Sequence, residues 1–304
     1  MKPAQFEYDD PGTVEDALEL LARHGDDCKV LAGGQSLVPL MNFRLARPAR
    51  LIDINGVDSL SHVTRDDGHL VIGAMTRHTQ IEHSVEVAEG WPLLTDAIGW
   101  VGHSQIRNRG TIGGSVAHAD PAAELPAAFA ALDASFHLRS KRASRVLSWK
   151  EFFVSEFTTA LAPDELVTAV QVPAQDPFSG AAFVEYARRH GDFALGGAAV
   201  TIKLGQDGRA EHVTIALLSA GPAPVRAEGA ERQLRGSKID ESSIRAASVE
   251  AIKGLHPTSD IHGSSEYRIA LLRTMAERAL TIAAQRASRK RSSARENGPE
   301  RTSQ

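Results

Sequence analysis

The residues best placed to do chemistry in this chain are two short glycine-rich stretches, Ala32-Gly33-Gly34-Gln35-Ser36 and Thr111-Ile112-Gly113-Gly114-Ser115. Glycine reaches positive φ and carries no Cβ, so such a turn can present successive backbone N–H groups to an anion that approaches closely. Ser36 and Ser115 add hydroxyls. Ser36 also stands where a helix can begin, and the unpaired amides of a helix start favour negative charge. Two such turns suit a diphosphate gripped from both sides, although spacing alone fits two ordinary tight turns equally well. A third pair, Gly196-Gly197, enters a predicted strand and reads as close packing.

Other chemistries find little support. There is no GxxxxGK[ST] loop and no GxGxxG turn after a strand, which opposes the common nucleotide and dinucleotide sites. Twelve histidines are scattered with no HExxH motif, so no metal site is expected. The single cysteine, Cys28, reads as a small buried hydrophobe; it excludes an internal disulfide, and any iron–sulfur cluster must lie in another chain. With 34 basic against 38 acidic residues the net charge is −4, which opposes broad nucleic-acid binding. No apolar run is long enough for a membrane span, and the start MKPAQFEYDD lacks a signal pattern, so a cytoplasmic location is expected.

Stepping outward, the first loop follows a predicted strand at Lys29–Ala32 and precedes a helical segment, Leu37 to Leu45. Before them, Thr13 and Asp16 open a helix with Val14, Ala17, Leu18 and Leu21 on one face and Gly25 at its end. Strands are expected at Leu51–Ile54, Leu70–Ala74 and Val167–Val172, and a buried helix within Ala122–Ala134. Gln175–Gly180 has linker composition and marks a domain boundary. Beyond it, Ala198–Leu204 and Val213–Leu218 form a hairpin around Gln206-Asp207-Gly208, and a long amphipathic helix carries Ile269, Leu272, Ala276, Ala279, Leu280 and Ala283. Residues 287–304, basic and serine-rich without apolar periodicity, are expected to be a disordered tail.

These loops and their surroundings resemble the FAD-binding medium subunits of molybdenum hydroxylases, the group of the carbon monoxide dehydrogenase medium chain and the xanthine dehydrogenase flavin domain. The likeness spans Pro3 to Arg286. It is carried by Leu31-Ala-Gly-Gly-Gln-Ser-Leu-Val-Pro-Leu40, Leu51-Ile-Asp-Ile-Asn55 and Ile72-Gly-Ala-Met-Thr-Arg-His78, and most strongly by Gln105-Ile-Arg-Asn-Arg-Gly-Thr-Ile-Gly-Gly-Ser-Val-Ala-His-Ala-Asp-Pro121. The resemblance implies an α+β chain: a two-lobed FAD-binding domain of the vanillyl-alcohol oxidase-like (PCMH) type over 1–177, with lobes of about 1–56 and 57–177, then a smaller α+β domain over 178–286.

It further implies that FAD is held by Leu31, Ala32, Gly33, Gly34, Gln35, Ser36 and Leu37 from the first loop, and by Thr111, Gly113, Gly114 and Ser115 from the second, with main-chain amides cradling the diphosphate. Glu124, where relatives carry Asp, would bond the ribityl or phosphate region, while Val101 and Leu166 would pack near the flavin; in any fold these three also read as core or helix-start residues. Two departures stand out. Val184-Glu185-Tyr186 lacks the lysine of many relatives, and Phe193 replaces a tyrosine.

The implied partners are a large molybdopterin-binding subunit and a small subunit with two 2Fe-2S clusters, assembled as a dimer of heterotrimers. This chain's FAD would pass their electrons to an external acceptor without a catalytic residue of its own. One rival is a self-sufficient FAD oxidase or dehydrogenase of the same fold, for which His78 and His118 are the histidines within the motifs. The other is a non-enzymatic binding or assembly module acting through the basic tail.

Overall fold

The computed structural model describes residues 2–296. Three sheets succeed one another along the chain. The first is parallel, in the order β1-β3-β2, from β1 (Glu7–Asp9), β2 (Cys28–Leu31) and β3 (Arg50–Asp53). The helix Val14–His24 connects its first two strands. The Thr13 hydroxyl accepts the Asp16 N–H at 3.1 Å, Gly25 ends the helix, and Val14, Ala17, Leu18 and Leu21 face the sheet as the periodicity predicts. Cys28 is buried beside them, its thiol pushed up by burial.

The second sheet is antiparallel. Its strands are β4 (Val63–Asp66), β5 (His69–Gly73), β6 (Ser135–Arg139), β7 (Ser144–Ser148) and, after the ribbon β8 (Phe153–Ser155) and β9 (Thr158–Thr159), β10 (Leu166–Val172). They lie in the order β4-β5-β10-β6-β7. The helix expected within Ala122–Ala134 spans Glu124–Ala131, and all eight of its residues are buried. Phe129 meets Phe136 edge-on, and Phe136 stacks on Phe152, so these aromatics fill the space between helix and sheet.

The third sheet runs β11 (Gly180–Tyr186), β12 (Gly196–Leu204), β13 (Ala210–Leu218), β14 (Val225–Arg226) in simple antiparallel order. Its β12–β13 hairpin is the predicted one, turning through Gly208 at φ +83°. Gly197 faces Leu218 and Glu185 too closely for any Cβ, so the third glycine pair does serve strand packing.

One face of this sheet continues the core of the second sheet through Ala181, Phe183, Ala199 and Ala216. The other lies under the long helix Ser265–Glu296 through Leu272, Ala276, Ala279 and Leu280. That helix corrects the expected tail, because residues 287–296 are helical rather than disordered. Tertiary contacts supply what composition lacks: Ala287 is buried, Lys290 donates to the Ser179 carbonyl at 3.1 Å, and Arg291 donates to that of Gln206. The rest of the expected tail, 297–304, lies outside the described residues.

Candidate functional site

The first loop begins where β2 ends. Gly34 adopts φ +73°, a conformation that disfavours any side chain, and the Val38 N–H closes the turn onto the Gly34 carbonyl at 3.1 Å. The helix that follows is short, Leu37–Asn42 rather than to Leu45, and the Ser36 hydroxyl does not cap it. Among the described residues, none of the four successive backbone amides from Gly33 to Ser36 has an acceptor in the chain. Consecutive unpartnered N–H groups in a tight turn form a concavity suited to an anion.

The second loop behaves differently. Thr111 caps the helix Ile112–His118, its hydroxyl accepting the Gly114 N–H at 3.1 Å. The Ile112, Gly113 and Ser115 amides donate to the carbonyls of Thr76, Ala74 and Thr111. Four of this loop's N–H groups, those of Ile112, Gly113, Gly114 and Ser115, thus have acceptors within the chain. Gly113 is bare for packing: a Cβ there would stand 2.6 Å from that of Ala74. A Cβ on Gly114 would meet Thr111 Oγ1 at 2.7 Å and, across the gap, the Ala32 Cβ at 3.7 Å.

The two loops are in contact. A Cβ on Gly33 would collide with the Arg109 carbonyl and lie 2.8 Å from the Gly110 Cα, so the missing side chain lets the two backbones touch. His78 braces this junction from within. Its backbone N–H donates to the Gly110 carbonyl, and its ring Nε2 lies 3.0 Å from the Thr111 carbonyl and 2.9 Å from Ser115 Oγ. A carbonyl can only accept, so Nε2 carries the proton and buried Nδ1 has no partner. Burial pushes the ring down to about 4, keeping it neutral at pH 7.

The loops open on a cleft of about 1280 Å³, larger than a drug-sized site. It brings together Ala32, Gly33, Gly34, Gln35, Ser36, Leu37, Val101, Thr111, Gly113, Gly114, Ser115, Glu124 and Leu166. Leu31 does not line it; its carbonyl instead accepts the Ile54 N–H. The connection between β11 and β12 adds Arg188, Asp192 and Phe193 to its lining, and Phe193 is 72% exposed. His78 and Arg268 also line the cleft. The sequence marks His78 only as a motif histidine of the rival oxidase, and Arg268 sits on the long helix with no local signal.

One buried carboxyl, Glu124, lines the cleft, and a second, Glu185, is buried on β11 outside that lining. Burial raises Glu124, at the start of its helix, to about 7. Glu185 on β11 is raised to about 9 by burial, with Glu124 adding to the shift, and neither of its oxygens has a hydrogen-bond partner. Glu185 is thus held as the neutral acid at pH 7.

The FAD binding domain in molybdopterin dehydrogenase matches residues 4–175, and the CO dehydrogenase flavoprotein C-terminal domain matches residues 181–283. The chain belongs to the FAD-binding medium subunits of molybdenum hydroxylases. This medium subunit is 46% identical over 287 residues to the 6-hydroxypseudooxynicotine dehydrogenase complex subunit alpha of Paenarthrobacter nicotinovorans, covering 94% of this chain and 97% of that one. It is 36% identical to the carbon monoxide dehydrogenase medium chain of Hydrogenophaga pseudoflava, covering 93% and 98%. The crystal structure of that organism's carbon monoxide dehydrogenase, lacking the Mo-pyranopterin moiety, superposes with a TM-score of 0.92 at 37% identity over 94% of this chain and 99% of that chain. The fold is accordingly the two-lobed PCMH-type FAD-binding domain followed by the smaller α+β domain, and the subunit is the flavoprotein component of a multi-subunit molybdenum-containing dehydrogenase. No described helix is long and apolar enough to cross a membrane.

Proposed function

We propose that this subunit holds one FAD in the cleft, with the diphosphate on the amides of Gly33 to Ser36 and against the bare face of loop two at Gly114. The observation that carries the reading is the run of four acceptor-free amides beside a second loop that is bare of Cβ at Gly114. FAD supplies one- and two-electron transfer when bound, and the protein contributes binding, orientation and polarity. Loop one donates hydrogen bonds. Thr111 and His78 spend their own bonding on keeping loop two in place. Glu124 reaches the ribityl or phosphate region and, with its raised affinity for protons, can donate as well as accept there. Val101 and Leu166 give apolar packing near the ring system, and Phe193 offers a face for stacking without the hydroxyl of a tyrosine. Leu31 supports the first loop from behind.

The reading assigns residues 1–177 to the FAD-binding domain, with lobes of about 1–56 and 57–177, and residues 178–286 to the second domain. Electrons arrive from two 2Fe-2S clusters of a small subunit, which collect them from a large subunit bearing the molybdenum cofactor, and leave to an external acceptor; the assembly is a cytoplasmic dimer of heterotrimers. Relatives named for carbon monoxide and for 6-hydroxypseudooxynicotine share this subunit type, which supports selection of the organic substrate by another chain. The test is purification of the full chain alone. It is expected to carry about one FAD, released by acid into the supernatant, and to oxidise no organic substrate until partners are added. Flavin retained in the acid pellet together with turnover by the single chain would favour the self-sufficient oxidase instead.

A further inference from the structure

Behind the two loops, on the side away from the cleft, a chain of hydrogen bonds runs from one lobe to the other. Asn55 Nδ2 donates to the Ala32 carbonyl at 2.8 Å. Arg77 Nη2 donates to Asn55 Oδ1 at 2.6 Å, and Arg77 Nη1 donates to the Arg109 carbonyl. Those two terminal carbonyls flank the place where Gly33 presses on the Arg109–Gly110 backbone. Asn55 is itself fixed, since its backbone N–H and its Nδ2 both reach Asp53 Oδ1, while the Tyr8 hydroxyl donates to Asp53 Oδ2 at 2.6 Å. Arg77 is fixed at its backbone, which bridges to Thr111. Neither Asn55 nor Arg77 lines the cleft.

Resting on the FAD reading above, we propose that Asn55 and Arg77 are positioning residues, a tie across the back of the cleft that sets the spacing of the two loops and thereby the affinity for the diphosphate. Planar donors suit this duty, because the Arg77 fork reaches both lobes at once with fixed geometry. The tie also places charge. Arg77 and Arg109 are like-charged neighbours in a partly buried region, so the anion bound in front of them relieves their mutual repulsion. Loop two, whose amides from Ile112 to Ser115 are committed, then contributes through position and through the field behind it.

The experiment is fluorescence titration of the flavin-depleted full chain with FAD, for wild type, Arg77→Met, Asn55→Ser, the double variant and Arg77→Lys, beside thermal unfolding of each flavin-free protein. Each of the first two variants is expected to weaken FAD binding about tenfold or more, as for loss of a charge-assisted hydrogen bond. The double variant is expected to lose little beyond the worse single one, because one tie is cut once or twice. Arg77→Lys, which keeps charge but not the fork, is expected to recover part of the loss. Should Arg77→Met fail to fold, Asn55→Ser cuts the same tie from its other end and carries the same expectation. Unchanged FAD affinity in the folded variants, or fully additive losses, overturns the tie while leaving FAD binding intact. A wild-type chain that binds no FAD overturns the underlying reading and the tie with it.

Discussion

Gly33 and Gly110, far apart in sequence, meet so closely that a Cβ on the first would lie 2.8 Å from the Cα of the second. This contact turns two local turns into one site. It follows that Gly33→Ala must push the loops apart. Overpacking of this kind typically costs about 1–3 kcal/mol, and chemical denaturation is expected to show a loss in that range together with poor flavin retention.

Gly114→Val acts on the open side of the same junction. A Cβ there crowds Thr111 Oγ1 at 2.7 Å and faces the Ala32 Cβ at 3.7 Å across the gap where the diphosphate is proposed. A folded variant with a wild-type far-ultraviolet spectrum and no bound flavin is expected, read from the absorbance ratio of flavin to protein.

Thr111→Ala removes the cap of the helix Ile112–His118 and frees the Gly114 amide. Loss of such a cap costs about 1 kcal/mol, up to about 2. Thr111→Ser keeps the acceptor oxygen and should recover most of this in urea unfolding.

The buried ionisable groups predict opposite pH dependences. Glu185 is raised to about 9, so the folded chain resists ionisation that the unfolded chain undergoes from its ordinary value near 4.5; stability falls as pH rises through that window. Glu185→Gln, neutral at every pH, is expected to raise the melting temperature by several degrees at pH 8 and to give no gain at pH 4. His78 is lowered to about 4 from 6.5, so the unfolded chain takes up a proton first and stability falls as pH drops from 6.5 toward 4. His78→Phe should flatten that acid limb while loosening loop two. Melting curves of both variants across pH 4–9 check the two signs together.

Much of this site is legible in the sequence because its chemistry is local. Gly34 needs positive φ, Thr111 caps a helix that begins at the next residue, and the Thr13–Gly25 frame of the first helix is written in its own turns. What sequence could not express is which backbone each glycine touches. Gly113 serves Ala74, Gly33 serves Gly110, and only Gly114 faces the gap, distinctions made by segments far along the chain. The commitment of the Ile112 and Gly113 amides to the carbonyls of Thr76 and Ala74 is tertiary in the same sense. So is the helix through 287–296, where Lys290 and Arg291 find carbonyl partners at Ser179 and Gln206. The first strand, Glu7–Asp9, is too short to show a period and is held by parallel pairing with β3.

The central claim is that the amides of Gly33 to Ser36 grip the ligand's diphosphate. Hydrogen–deuterium exchange of the full chain, with and without saturating FAD, reads those amides directly. Strong slowing of exchange confined to residues 33–36 and their immediate surroundings is the predicted result. Stoichiometric flavin binding with exchange in 33–36 unchanged would contradict it.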